Sequence, residues 1–161
     1  MKSPSDTVPL CVDLDGTLIH TDSALENLLK LLRTKPWQLV LLPVWLLGGR
    51  AHLKRKLATA VRLNPAALPY RRELVDYLEA QARDGRALIL ATAADSNIAD
   101  DVASHLGLFS GVVASDGRQN MKGNNKRARL EHLYGTRSYD YIGDSRADAP
   151  VWDGARKALA V

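Results

Sequence analysis

Two aspartates, Asp13 and Asp15, follow a short apolar run and are the residues best suited to chemistry in this chain. In an extended segment successive side chains alternate between faces, so both carboxylates would share one face while Leu14 points into the core. Two like charges this close repel unless a cation or a shared proton offsets them. Carboxylate oxygens are hard ligands that suit Mg²⁺. We therefore predict a catalytic centre with a bound Mg²⁺ here.

The elements that must position these carboxylates are short apolar strands that alternate with helices. The first strand lacks polar alternation, as expected for a strand buried on both faces of a parallel sheet. The repeated strand–helix–strand order predicts right-handed crossovers, an α/β class with a Rossmann-like parallel sheet, and active groups at the carboxyl ends of the strands. Strands are predicted at residues 8–14, 87–91, 111–114, 138–142 and 158–161.

Length and composition predict an ordinary globular protein. The 161 residues allow one domain with a small appended lobe, and 46% hydrophobic with 25% charged residues is typical of soluble chains. Cys11 is the single cysteine, lies in an apolar strand and is predicted to be buried and inert. The polar start of the chain does not resemble a secretory signal. We therefore expect a cytoplasmic location, with membrane association depending on the segment after the first strand.

That segment, between strands one and two, is strongly basic. Residues 27–72 contain ten Lys or Arg and no Asp or Glu, so they carry +10 and the remainder carries −6 of the total +4. Such a charge attracts nucleic acid, an anionic membrane surface or a phosphorylated substrate, or is simply a solvated face. Nucleic acid is not expected, because no recognised reading motif accompanies the charge.

An apolar stretch, residues 37–47, lies inside the same segment, with Pro43 at its centre and Trp37 and Trp45 near its ends. As a helix it would be about 16 Å long, whereas a bilayer core is about 30 Å thick, so it cannot span a membrane. Three interpretations stay open. The stretch is a helix buried within the lobe, a surface that docks on a membrane or a membrane-embedded partner, or a self-association surface.

Four motifs, each at a predicted strand end or helix start, together resemble the haloacid dehalogenase superfamily. The resemblance implies a catalytic core made of residues 1–21 and 86–161. Residues 22–85 would form a small helical cap that covers the site and selects the substrate. The motifs are Asp-Leu-Asp-Gly-Thr at residues 13–17, Thr92, Lys122, and Gly143-Asp144 with Asp148.

The resemblance assigns separate roles to the two aspartates. Asp13 would be the nucleophile that forms an aspartyl-phosphate, and its carboxylate would also bind Mg²⁺. Asp15 would protonate the leaving oxygen and then deprotonate the attacking water, and its backbone carbonyl would be a second metal ligand.

The later motifs would supply the phosphate and metal partners. Thr92 would donate its hydroxyl to a phosphate oxygen, together with the backbone N–H of Ala93. Asp144 would complete the metal site. Asp148 would support the metal or the lysine, although it is also placed to cap a helix beside Pro150.

A lysine would neutralise the charge shared by Asp13 and the phosphoryl group. Lys122 is favoured because it precedes the helix that begins at Asn124, and Lys126 is the alternative. That helix is predicted to turn Ala128, Leu130 and Leu133 inward.

The resemblance therefore implies a Mg²⁺-dependent phosphatase of a small or lipid-linked phosphomonoester. The chain is also similar to the phosphatase-like domain that precedes a membrane prenyltransferase domain in some bacterial proteins. On that basis a membrane-embedded prenyltransferase domain is a possible partner. A regulatory or docking module with little turnover is the alternative function.

Overall fold

The computed structural model describes residues 8–161, in which five parallel strands form one sheet. Their order is β3-β2-β1-β4-β5. β1 therefore lies at the centre, as its uninterrupted apolar sequence predicts, and the parallel α/β fold is confirmed. The predicted core begins at residue 1, and residues 1–7 lie outside the described part. The strands are β1 (Leu10–Val12), β2 (Leu88–Asp95), β3 (Gly111–Ser115), β4 (Asp140–Gly143) and β5 (Lys157–Ala160).

Helices connect the strands, and four of them lie between β1 and β2. These four are α1 (Ser23–Thr34), α2 (Leu42–Leu47), α3 (Arg50–Ala60) and α4 (Arg72–Arg83). The others are α5 (Ser96–Leu106), α6 (Asn124–Tyr134) and α7 (Ala149–Gly154). Short 3₁₀ helices occupy Pro36–Leu41, Pro65–Ala67 and Arg146–Asp148.

The sheet has an apolar cluster on each face, because side chains alternate along each strand. Leu10 and Leu88 face helices α4 and α5, which contribute buried residues such as Leu78 and Val102. The neighbouring strand residues, including Cys11, Ile89 and Tyr141, face α6 and α7. Helix α4 thus packs on the sheet, although it falls within the predicted cap range 22–85. The division into core and cap stays a prediction.

The main difference from the predicted strands is at β2, which continues past Thr92 to Asp95. Its pairing with β3 shifts register between Ala91 and Asp95. Such a bulge inserts extra residues and bends the strand locally. The sequence pattern predicted that the strand ends before the polar Thr92. In the structure Thr92 lies inside β2, within its irregular last four residues.

The apolar stretch of residues 37–47 is not a buried helix, so that interpretation was wrong. Neither the 3₁₀ helix Pro36–Leu41 nor α2 contains a buried residue. Pro43 lies in the first turn of α2 and limits the stretch to two short pieces. Beneath them lies a small cluster of its own, with Leu31, Leu57 and Val61 buried. No helix within residues 8–161 is long and apolar enough to cross a membrane.

An ionic contact fixes the start of β4 to the chain on both sides of it. Asp140 is buried and accepts hydrogen bonds from Arg156 Nε and Nη2 at 2.9 and 2.8 Å, and from Arg86 Nη2. Burial raises the pKa of Asp140, but the hydrogen bonds from Arg156 and Arg86 outweigh it and hold that pKa below its ordinary value. The ionised carboxylate is therefore the stable form in the fold.

We predict that Asp140→Asn lowers the free energy of unfolding by about 1.5–3 kcal/mol at neutral pH, the value of hydrogen bonds to a charged group. Because the pKa is lower in the folded state, this contribution is complete above about pH 4, the ordinary Asp range, and is lost as pH falls through the folded-state pKa. Urea unfolding at neutral and acidic pH measures it. Asp153→Asn, at an exposed carboxylate, is the control. A wild-type advantage that grows on acidification would contradict the assignment.

Candidate active site

The turn after β1 presents both sequence-predicted aspartates to a cavity. The strand ends at Val12, and the Asp13 N–H still donates to Ile142 O on β4 at 3.0 Å. The chain then turns at Gly16, whose φ is +77°, a conformation that L side chains rarely adopt. Arg71 holds this turn by donating to Gly16 O and Thr17 O, each at 3.1 Å. Backbone and guanidinium contacts together therefore fix the direction of Asp13 and Asp15.

Asp13 is buried beside a lysine of α6. Lys126 Nζ donates to Asp13 Oδ1 at 2.9 Å, to the Tyr141 hydroxyl at 2.6 Å and to Asp148 Oδ1 at 3.3 Å. Burial raises the pKa of Asp13 to about 6, while the charge of Lys126 acts in the opposite direction. One ammonium thus serves two buried carboxylates and one hydroxyl.

The preference for Lys122 at this position is corrected by the structure. Lys122 lines the cavity but is exposed, whereas Lys126 is 2% exposed and contacts Asp13 directly. The phase of α6 explains the difference, because Lys126 and Leu130 are the residues that this helix buries. Ala128 and Leu133, predicted to face inward, are exposed.

Three carboxylates come together as a possible metal site. Asp13, Asp144 and Asp148 each offer an oxygen, and these oxygens lie within 4.8 Å of one another. Asp144 is exposed and accepts from the Thr17 hydroxyl at 3.4 Å. Hard oxygen donors suit Mg²⁺, which usually takes one or two carboxylates and completes its shell with waters and substrate oxygens. The three residues assigned to the metal through their carboxylates therefore lie together. Asp15 was assigned through its backbone carbonyl, and its side chain is not part of this cluster.

Asp148 contacts both partners that the resemblance assigns to it, the carboxylate cluster and the lysine. Its Oδ1 accepts from the Tyr141 hydroxyl at 2.8 Å and from Lys126, while its Oδ2 accepts from the Ser145 N–H at 3.4 Å. Asp148 therefore forms a capping box with Ser145 at the 3₁₀ helix Arg146–Asp148. The predicted cap of the helix beside Pro150 is not formed, because the Asp148 side chain makes no capping hydrogen bond to α7.

Asp15 lies apart from that cluster. Its Oδ1 accepts from the Ser23 N–H at the start of α1, at 2.8 Å. Burial raises the pKa of Asp15, and the hydrogen bond from Ser23 opposes this shift. The two aspartates thus occupy different environments, which suits different chemical roles.

The bulge at the end of β2 borders the cavity through Ala93. Thr92 is fully buried, and its hydroxyl accepts from the Ala94 N–H at 3.0 Å. Lys54, on α3, donates to Ala93 O at 2.8 Å and also lines the cavity. The phosphate-binding roles of Thr92 and Ala93 stay predictions.

The cavity itself has a volume of about 520 Å³. Its floor carries the carboxylates and Lys126, and its sides include Lys54, Lys122, His20 and Leu25. A cavity of this size accommodates a small organic phosphate.

Sequence reasoning missed three residues that shape this site. Tyr141 connects Lys126 and Asp148, Arg71 holds the turn after β1, and Lys54 reaches the site from α3. A hydroxyl within a buried strand was a usable signal for Tyr141, because buried polar groups require partners. No local pattern separates Lys54 or Arg71 from the other basic residues between β1 and β2.

Residues 10–152 match the model of the haloacid dehalogenase-like hydrolase family, so the chain belongs to that family. A Sinorhizobium fredii protein, described as the uncharacterized protein y4nM, is 43% identical over 155 residues. The match includes 96% of this chain but 30% of that protein. The chain thus spans less than a third of the length of this relative.

Solved structures confirm the fold. A substrate-bound phosphoserine phosphatase complex superposes with a TM-score of 0.67 at 14% identity, over 96% of this chain and 86% of that one. A structure described as a phospho-aspartyl intermediate analogue of phosphoserine phosphatase gives 0.64, also at 14% identity, with the same shares of both chains. A predicted phosphoglycolate phosphatase from Haemophilus somnus gives 0.65 at 17% identity, over 99% of this chain and 85% of that one.

We predict that Gly16→Ala weakens divalent cation binding at least about tenfold, the usual cost of disturbing groups around a metal site. A Cβ at Gly16 would lie 2.2 Å from Asp144 Oδ2 and would displace that carboxylate. Calorimetric titration with Mg²⁺ measures the effect.

Gly85→Ala is the matched control for this substitution. Gly85 has a φ of +79°, almost the same as Gly16, but a Cβ there meets nothing within 4 Å. Both variants should lose about 1–2 kcal/mol of stability through backbone strain. Equal Mg²⁺ affinity in the two variants would contradict the placement of Asp144 in the metal site.

Proposed function

We propose that this chain is a Mg²⁺-dependent phosphomonoester hydrolase that acts through an aspartyl-phosphate on Asp13. The observation that carries the proposal is the buried contact between Asp13 and Lys126 beside the carboxylates of Asp144 and Asp148. A carboxylate that is held in place and partly neutralised by an ammonium can attack an electrophile without first moving. Phosphorus is the electrophile that the surrounding groups fit best.

The reaction divides into two displacements. In the first, a carboxylate oxygen of Asp13 forms a bond to phosphorus while the bond from phosphorus to the alcohol oxygen breaks, and Asp15 gives its proton to that oxygen. In the second, Asp15 accepts a proton from water, whose oxygen attacks the phosphorus and releases Asp13 and inorganic phosphate. Asp15 lies apart from the other three carboxylates and accepts a hydrogen bond from the Ser23 N–H, which supports its use as the acid and base.

Charge compensation is the main requirement of this chemistry. Five aspartates border the cavity, and a phosphate dianion would be repelled by them in the absence of cations. Lys126 offsets Asp13 and Asp148, and Lys54 adds a positive charge beside Ala93. Mg²⁺ bound by Asp13, Asp144 and Asp148 would neutralise the charge that builds up on the phosphoryl oxygens.

The substrate class that we propose is a small or lipid-linked phosphomonoester. Lys54 and Lys122 provide cationic groups at the cavity for the phosphate end. Leu25, which is half exposed, gives the same cavity an apolar edge suited to a carbon chain. Family membership and the likeness to a phospho-aspartyl intermediate analogue of phosphoserine phosphatase support hydrolysis at phosphorus.

We expect Asp13→Asn to lower kcat toward an aryl phosphate at least about a thousandfold, because removal of a nucleophile removes the covalent route. Wild-type turnover should require Mg²⁺ and stop when the cation is chelated. Release of inorganic phosphate measures both effects, and circular dichroism confirms that the variant is folded. Near-normal turnover by folded Asp13→Asn would exclude the mechanism.

The two candidate lysines can be separated by a matched pair of substitutions. Lys126→Met should lower kcat by about a hundredfold or more, because it removes the charge next to the reacting carboxylate. Lys122→Met should change KM by only a few fold, since its exposed ammonium meets solvent.

Rates for these variants are compared only where urea unfolding shows both to be folded, because the loss of Lys126 leaves Asp13 and Asp148 unpaired. A larger loss of kcat in Lys122→Met than in Lys126→Met would support the sequence-based choice of Lys122 and contradict the assignment of Lys126.

A further inference from the structure

Helix α1 exposes three of its five leucines and buries two polar residues. Leu25, Leu29 and Leu32 are spaced by one helical turn and are 49%, 41% and 51% exposed. On the other side of the helix Ser23, Asn27 and Leu31 are buried. The stripe formed by Leu25, Leu29 and Leu32 therefore faces solvent, whereas the apolar stripe of a surface helix usually faces the core.

The exposed apolar surface continues on the next two elements. Within the 3₁₀ helix Pro36–Leu41, which contacts α1, Trp37 and Val40 are 68% and 75% exposed. In α2, which contacts that 3₁₀ helix, Val44 and Leu47 are 61% and 88% exposed. We call these four residues, with Leu29 and Leu32, the apolar cap surface. Exposed apolar surface of this extent is typical of an interaction site.

The charge around this surface has one sign. Arg33 and Arg50 are exposed, and they lie three residues before and three residues after the segment that runs from the 3₁₀ helix Pro36–Leu41 through α2. Neither takes part in an ion pair among the described residues. Residues 27–72 contain no Asp or Glu. A partner that complements the surface must therefore be both apolar and negatively charged.

We propose that the apolar cap surface docks on an anionic lipid bilayer. Leucines, valines and a tryptophan would enter the boundary between headgroups and acyl chains, and the flanking arginines would meet lipid phosphates. A second copy of this chain is disfavoured as the occupant, because it would bring two basic segments without carboxylates against each other. Docking on the surface of a bilayer does not require a helix that crosses it, so the short helices of this region are compatible with the proposal.

Leu25 connects the surface to the catalytic cavity, because it lines the cavity and begins the exposed stripe of α1. Docking would then place the mouth of the cavity at the level of the lipid headgroups. If the proposed phosphatase function is correct, a membrane-resident phosphomonoester would be within reach of Asp13. This consequence rests on the proposed function, whereas the docking itself does not.

Vesicle flotation tests the docking. The purified chain should float with vesicles that contain phosphatidylcholine and phosphatidylglycerol, and remain behind with vesicles of phosphatidylcholine alone. High salt should weaken the binding, because it screens attraction to the headgroups. The double variant Val40→Glu/Leu47→Glu should bind at least about tenfold more weakly, as expected from the loss of two inserted apolar side chains.

Leu133→Glu is the matched control, because Leu133 is 43% exposed on α6 and lies outside the surface. This control and Asp13→Asn should bind vesicles like the wild type, so that failure of docking and failure of catalysis are observed separately. Hydrolysis of a water-soluble aryl phosphate should be unchanged in Val40→Glu/Leu47→Glu.

Three results would overturn the proposal. They are absence of flotation with the anionic vesicles, equal flotation with both vesicle types, and an equal loss of binding in Leu133→Glu. Absence of flotation combined with concentration-dependent dimers would instead favour self-association. Absence of flotation by a monomer would favour a protein partner.

Discussion

The contact between Lys126 and Asp13 is the interaction on which the rest of the site depends. Asp13 comes from the end of β1, Lys126 from the first turn of α6 and Asp148 from the turn after β4. Buried carboxylates are costly without a compensating cation, and here a single ammonium lies within hydrogen-bond distance of both. The parallel sheet makes this possible, because β1 and β4 are neighbours and their carboxyl ends share one edge.

The sheet and the positions of the aspartates were predictable because their signals are local. An uninterrupted apolar strand predicted the central β1, and Asp13 and Asp144 each follow a strand directly. The choice of lysine was not predictable in the same way. Lys122 and Lys126 both lie near the start of α6, and only the rotation of that helix against the sheet separates them. Hydrophobic periodicity predicted that Ala128, Leu130 and Leu133 face inward, whereas the fold buries Leu130 together with Lys126, which contacts two buried carboxylates.

The rotation of α1 is likewise determined by a contact at the site and not by its hydrophobic pattern. The N–H of Ser23 donates a hydrogen bond to Asp15, so the first turn of α1 must face the turn after β1. This contact fixes the rotation of the entire helix, and Asn27 and Leu31 follow Ser23 on its buried side. Leu25, Leu29 and Leu32 are consequently on the outside. A sequence rule that places leucines in the core fails here because a hydrogen bond at the active site determines the phase of the helix.

The basic charge between β1 and β2 serves first to attach that region to the core. Lys54 donates to Ala93 O, Arg55 pairs with Asp95 on β2, and Arg62 pairs with Asp101 on α5. Arg71 holds the turn that carries Asp15. Lys30 and Lys35 also donate, to Arg62 O and Ala60 O. Six of the ten basic residues in this segment therefore have partners within the protein, and the net charge alone overstates what is available to a partner. Arg33 and Arg50 differ from these six because they flank exposed apolar side chains, and it is this pairing of free charge with apolar surface that distinguishes a lipid-facing region from a solvated basic face.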